Sequence, residues 1–195
     1  MKKILTITLV LACVLAFASC TFGVDPATAF TSAVASTDPD TATITTVTST
    51  ELGELNGEYV ITYGDEGAAS IAYSYEQWYK VGEGNGTDTK YTVTGTITRQ
   101  PDGSYADGKG FTASADSIVA GFSLDLSSII ADADINDAGD TLNATVAAAN
   151  TEAVLGVELA YDVDLTVIIG GGMVQSISVT FEDDGNTGSI TCRYR

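Results

Sequence analysis

Val157-Glu158-Leu159-Ala160-Tyr161-Asp162-Val163-Asp164-Leu165-Thr166-Val167-Ile168-Ile169 alternates apolar with polar side chains, broken only at Ala160 and Ile168. Val157, Leu159, Tyr161, Val163, Leu165, Val167 and Ile169 share one parity. Glu158, Asp162, Asp164 and Thr166 share the other. A period of two puts these sets on opposite faces of a β-strand, one toward a core and one toward water.

The same period recurs through most of the chain. Odd positions carry Leu55, Gly57, Tyr59, Ile61 and Tyr63, then Ile71, Tyr73, Tyr75 and Tyr79, then Tyr91, Val93, Gly95 and Ile97. Even positions carry Phe122, Leu124 and Leu126, then Leu142, Ala144, Val146 and Ala148. Ile177, Val179 and Phe181, and finally Ile190, Cys192 and Tyr194, complete the set, with Thr41 to Thr50 as a further β-branched strand. Turn signals separate most of these runs: Gly64-Asp65-Glu66-Gly67, Gly82 to Thr87, Pro101-Asp102-Gly103, Asp107-Gly108, Gly170-Gly171-Gly172 and Asp183-Asp184-Gly185-Asn186. Such short connections pair sequence neighbours antiparallel. Roughly nine to eleven strands are expected, several of them ~33 Å long at ~3.3 Å per residue.

Helix is scarce. Asp25 followed by Pro26 reads as an N-cap and first helical residue, and Phe30 and Val34 give a short helix to about Ala35 an apolar stripe. Thr151 to Leu155 reads as a helical turn or bend. One short helix cannot cover the apolar side of so many strands, so the sheet must curl, fold into a sandwich or hold a ligand. The expected fold class is mainly β (α+β): a long-stranded, strongly curved antiparallel meander or half-barrel with a short N-terminal helix.

Lys2 and Lys3 precede an apolar run from Ile4 to Phe17, too short for a comfortable bilayer span. Phe17-Ala18-Ser19-Cys20 then resembles the lipobox of bacterial lipoproteins, with Phe17 where Leu is commonest. The resemblance implies a signal peptide over 1–19, diacylglycerol on Cys20, a lipidated tether over 20–25 and a single β-rich domain over 26–195. Lipid would then hold the domain on a membrane of the cell envelope, outside the cytoplasm.

The chain has 195 residues, 8 basic, 26 acidic and no His, a net charge of −18. Only Lys2 and Lys3 of these charges fall within 1–19, so the mature chain would carry −20. That field repels phosphate backbones, so nucleic acid is not an expected partner. Without His, Ser-His-Asp and Cys-His catalysis and imidazole metal sites are all excluded. With Cys20 acylated, Cys192 has no partner for a disulfide, and its alternation with Ile190 and Tyr194 reads as a buried apolar thiol.

Asp132, Asp134, Asn136 and Asp140 space oxygen ligands as a calcium loop would. Asp137 stands where an EF-hand needs Gly, and Asn143 where it needs Glu, so the segment reads as a solvated acidic loop. Gly170-Gly171-Gly172 lacks the Lys and helix start of a phosphate loop. No metal and no cofactor are expected. The acids nominate no catalytic pair, and an enzyme is not expected.

A lipobox, a short helix and long antiparallel strands together resemble the LolA/LppX-type curved-sheet lipoprotein carriers, in which a half-barrel cups an apolar cavity. The resemblance lies in the order of elements, with no sequence motif beyond the lipobox, and the fold serves different roles across that family. It implies an apolar or lipid ligand in the concave face. Tyr59, Tyr63, Tyr73, Tyr75 and Tyr91 lie on apolar stripes and suit a cavity wall or a packed core. The candidate ligand-binding residues are Tyr59, Ile61, Tyr73, Tyr75 and Val93. The alternative is a structural or interaction lipoprotein of the envelope with a dry core.

Replacement of Cys20 by Ala is expected to release the protein from membranes or to leave it unprocessed. Fractionation and intact mass check this; a Cys20→Ala protein processed and membrane-bound like wild type contradicts it.

Overall fold

The computed structural model describes residues 25–51, 53–79, 89–114, 121–183 and 185–195. The expected signal segment, Cys20, the tether to residue 24 and the turn at 82–87 lie outside the described residues.

The first helix, α1 (Pro26–Ser36), begins as its sequence dictates. The Asp25 carboxylate accepts from the Thr28 N–H at 3.2 Å, and Pro26 takes the first turn, where no donor is needed. Phe30 and Ala33 are its buried residues. At its end Thr37 accepts the Val174 N–H on its side-chain oxygen at 2.8 Å, which fixes the helix to the sheet.

The strands are β1 (Thr41–Thr50), β2 (Gly53–Gly64), β3 (Gly67–Tyr79), β4 (Thr89–Arg99), β5 (Tyr105–Ala106), β6 (Thr112–Ala113), β7 (Asp134–Ile135), β8 (Thr141–Val146), β9 (Val163–Gly170), β10 (Met173–Asp183) and β11 (Asn186–Tyr194). They form one curved, open antiparallel sheet in the order β6-β5-β4-β3-β2-β1-β11-β10-β9-β8-β7. Two meanders, β1 to β6 and β7 to β11, meet where β11 pairs with β1. Thr41 and Arg195 exchange backbone hydrogen bonds of 3.0 and 2.9 Å at that seam.

Apolar side chains fill the inner face in two clusters. One joins Phe30 and Ala33 of α1 to Leu142, Val146, Val163, Leu165, Val167, Ile177 and Val179. The other centres on Ala42, Ile44, Ile61, Ile71, Ile97 and Cys192, with Phe122 and Tyr194 packed against both. Glu54, Glu58, Glu76, Asp164 and Glu182 sit at outward positions of their strands. Lys90, also outward, pairs with Glu76 at 2.7 Å and lies 4.9 Å above the Trp78 ring.

Two expected strands are different structures. The alternating segment Phe122 to Ser127 crosses the sheet face instead of joining it. Ser123 N and Asp125 N donate to Leu155 O and Val154 O, at 3.0 and 2.8 Å, and Leu126 is buried beneath. Those acceptors belong to α2 (Thr151–Leu155), which follows a 3₁₀ turn at Ala148–Asn150. The run from Val157 to Ile169 becomes strand only at Val163, where it pairs with Val146, the last residue of β8. Before that point the Leu159 N–H is taken by the buried Thr151 hydroxyl at 2.9 Å, and the Asp162 carboxylate accepts from Ala148 N at 2.8 Å.

Register makes the two faces separately testable. Leu165 is buried and Ile168 is 40% exposed on the other side of the same strand. Leu165→Ala is expected to lower the unfolding free energy by ~2–5 kcal/mol and Ile168→Ala by less than about 1 kcal/mol. Equal losses in urea denaturation contradict the register.

Candidate functional site

The inner face of β11, β1, β2, β3 and β4 forms cross-strand rows. Cys192, Ile44, Tyr59, Tyr73 and Gly95 make one row, and Ile190, Thr46, Gly57, Tyr75 and Val93 the next. Side chains of cross-strand partners stand close enough to interact directly. Three glycines change how the rings sit. A Cβ at Gly95 would fall on the Tyr73 hydroxyl and come within 2.5 Å of Tyr73 Cζ. A Cβ at Gly57 would come within 2.9 Å of Tyr59 Cε2, and one at Gly188 within 2.5 Å of Phe181 Cε1. The rings therefore lie along the sheet over glycine backbone instead of standing away from it. Tyr73 and Tyr75 are stacked, with centroids 6.4 Å apart and planes 20° apart.

Above this low floor is a cavity of about 600 Å³. Ile44, Thr46, Tyr59, Ile71, Tyr73, Tyr75, Ile97 and Ile190 form its floor. Phe111, Gly121, Phe122 and Val157 line it from outside the strands. Among the described residues, no lining side chain is charged. Phe122 is held by the hydrogen bonds of the neighbouring Ser123 and Asp125 to α2, and Phe111 by a turn in which the Asp107 carboxylate accepts the Phe111 N–H at 3.0 Å.

Of the residues expected from sequence, Tyr59, Tyr73 and Tyr75 come together on the cavity floor. Ile61 is fully buried in the adjacent core, and Val93 lies on the inner parity but 39% exposed, outside the lining. The remaining lining residues were not singled out by sequence. Ile44, Ile71, Ile97 and Ile190 lie on the alternating stripes, whereas Phe111, Phe122 and Val157 reach the cavity only through the loop path.

Two smaller hollows adjoin it. One of about 460 Å³ shares Tyr73 and is lined by Thr94, Thr96, Asp107 and Lys109. The other, also about 460 Å³, shares Gly121 and Phe122 and lies toward Thr37, Tyr63 and Tyr194. There the Tyr194 hydroxyl donates to Phe122 O at 3.4 Å. Burial, with Cys192 beside it, pushes the Tyr63 phenol up to about 12. Burial also raises Tyr194 and the free, fully buried Cys192 thiol, so all three stay protonated at neutral pH. A protonated buried thiol is a poor nucleophile.

The acidic loop closes on itself. Asn136 Oδ1 accepts from Asp140 N and Thr141 N, both at 3.1 Å, and Asn136 Nδ2 donates to the Asp140 carboxylate at 2.8 Å. Hydrogen bonds from Asn136 and then Thr141 hold that carboxyl below its usual range. Among the described residues no group of three or more acids or cysteines is placed to hold a metal ion.

No family model and no curated protein matches the chain. Among solved structures, the chain is similar to a porin-like protein from Bacteroides uniformis ATCC 8492 at 10% identity and a TM-score of 0.30, over 80% of this chain and 96% of that one.

The ring-over-glycine arrangement predicts coupling. Gly95→Ala is expected to cost ~1–3 kcal/mol, because the Tyr73 ring must move. In a Tyr73→Ala background the same change is expected to cost at least about 0.5 kcal/mol less, measured as a double-mutant cycle in urea. Simple additivity contradicts the arrangement.

Proposed function

We propose that this chain is an envelope lipoprotein, anchored through Cys20, that holds a lipid or other apolar ligand in the concave face of its sheet. The observation that carries the reading is the 600 Å³ cavity over the tyrosine floor, whose described lining carries no charge. Ligand sites are concave, mostly apolar and ~300–1,000 Å³ in size, with a few polar groups for orientation. This cavity fits that description, with Tyr59, Tyr73, Tyr75 and Thr46 as the lining residues that carry hydroxyls. The order of elements also resembles the LolA/LppX-type carriers. A lipid anchor would keep such a site beside a source of apolar ligand, while the acidic surface keeps the domain off anionic headgroups.

The test uses residues 20–195, which contain every described element, purified without lipid. Titration with N-phenyl-1-naphthylamine, a neutral fluorophore, is expected to saturate at one site. Ile190→Trp, which fills the cavity, is expected to weaken binding at least tenfold, and Val60→Trp on the outer face to leave it unchanged. No saturable binding, or equal effects of the two variants, contradicts the reading.

A further inference from the structure

The cavity's electrostatics narrow its guest. Its lining holds no cation and no anion among the described residues. From residue 20 onward the chain carries −20, and Glu54 and Glu58 occupy the outer face of β2, one of the strands that form the floor. A carboxylate or phosphate entering the hollow would lose its hydration, gain no counter-ion and meet a negative field. Lys109 lines the adjoining hollow, but Asp107 lines it too, so the net charge offered there is small. An ammonium would be drawn to the surface and then find no acid among the described lining residues.

What the lining does offer is neutral polarity. The phenols of Tyr59, Tyr73 and Tyr75 and the Thr46 hydroxyl can each donate to a carbonyl or accept from an alcohol. Size adds a second limit. At ~30 Å³ per water-sized group, the half-open 600 Å³ hollow shelters about twenty non-hydrogen atoms, so about half of a two-chain lipid would be left in water. We infer that the guest is an uncharged single-chain amphiphile of that size, with an alcohol or ester end toward the tyrosine hydroxyls. This rests on the ligand-binding reading above and adds the charge and chain number of the ligand.

The experiment is competition against bound N-phenyl-1-naphthylamine on residues 20–195 at pH 8, where carboxylates are ionised. The competitors are monomyristoylglycerol, tetradecan-1-ol, tetradecanoate and dimyristoylglycerol, each below its aggregation threshold. The two neutral single-chain molecules are expected to displace the probe at concentrations at least tenfold lower than tetradecanoate, and dimyristoylglycerol to displace it weakly. Thr46→Lys, which places a cation in the lining, is expected to shift the preference toward tetradecanoate by at least tenfold. Tetradecanoate binding as well as or better than the alcohol to the unmodified protein overturns the charge inference while leaving the ligand reading intact. Dimyristoylglycerol competing as well as the monoester overturns the chain-number inference in the same way. Failure of the probe and of every competitor to bind overturns both levels together.

Discussion

Aromatic rings lying across glycine backbone set the depth of the inner face, and the rest of the site depends on that depth. Tyr73 covers Gly95 on the neighbouring strand, Phe181 covers Gly188, and Tyr59 leans over Gly57. Packed sheet layers stand ~10 Å apart, which upright tyrosines would largely fill. Laid flat, the rings hide the bare glycine backbone and leave height above it. A β-carbon at Gly95 or Gly57 would force the Tyr73 or Tyr59 ring upward into the cavity.

The two ends of the sheet solve the problem of a one-sided apolar face differently. Over β8, β9 and β10 the face is buried by α1, α2 and the crossing segment around Leu126, giving a dry core of Leu, Val and Ile. Over β1 to β4 the cover is sparse. Phe122 and Val157 reach across from the other half, and Phe111 comes from beside β6. Each apolar side chain left uncovered forgoes ~1.5–3 kcal/mol of burial, so the half with thin cover is the half that gains most from an apolar guest. Charge divides the sheet by face instead: strand acids point outward in both halves, and the described lining of the cavity is uncharged.

Much of this was legible in the residues. Alternation, turn glycines and the Asp25-Pro26 cap gave the longer strands, the antiparallel pairing of sequence neighbours and α1, while the two-residue strands β5, β6 and β7 and the β1–β11 seam carried no such signal. Alternation misled where it stood alone. Phe122, Leu124 and Leu126 obey period two because an extended segment packed across a sheet also points alternate side chains inward, and hydrogen bonding to α2 decides that it is not a strand. Val157 to Tyr161 failed for a related reason: β8 had run out at Val146 and offered no further partner. In the site, the tyrosines were visible on their stripes. Ile61 and Val93 shared those stripes but sit at different depths along the strands, and depth depends on what lies overhead. The meeting of Gly95 with Tyr73 needs the register of β3 against β4, and Phe111 and Phe122 need the path of the loops. Neither is written in a local pattern.

The proposed site predicts that a guest sits against the inner face of β11 and β1 to β4. Methyl NMR of residues 20–195 titrated with tetradecan-1-ol tests it most directly. Saturable shifts of the Ile44, Ile71, Ile97 and Ile190 methyls are expected, with Val60 and Ile168 on the outer face unmoved. Shifts concentrated on Val60 and Ile168, or none at the four inner isoleucines, would contradict it.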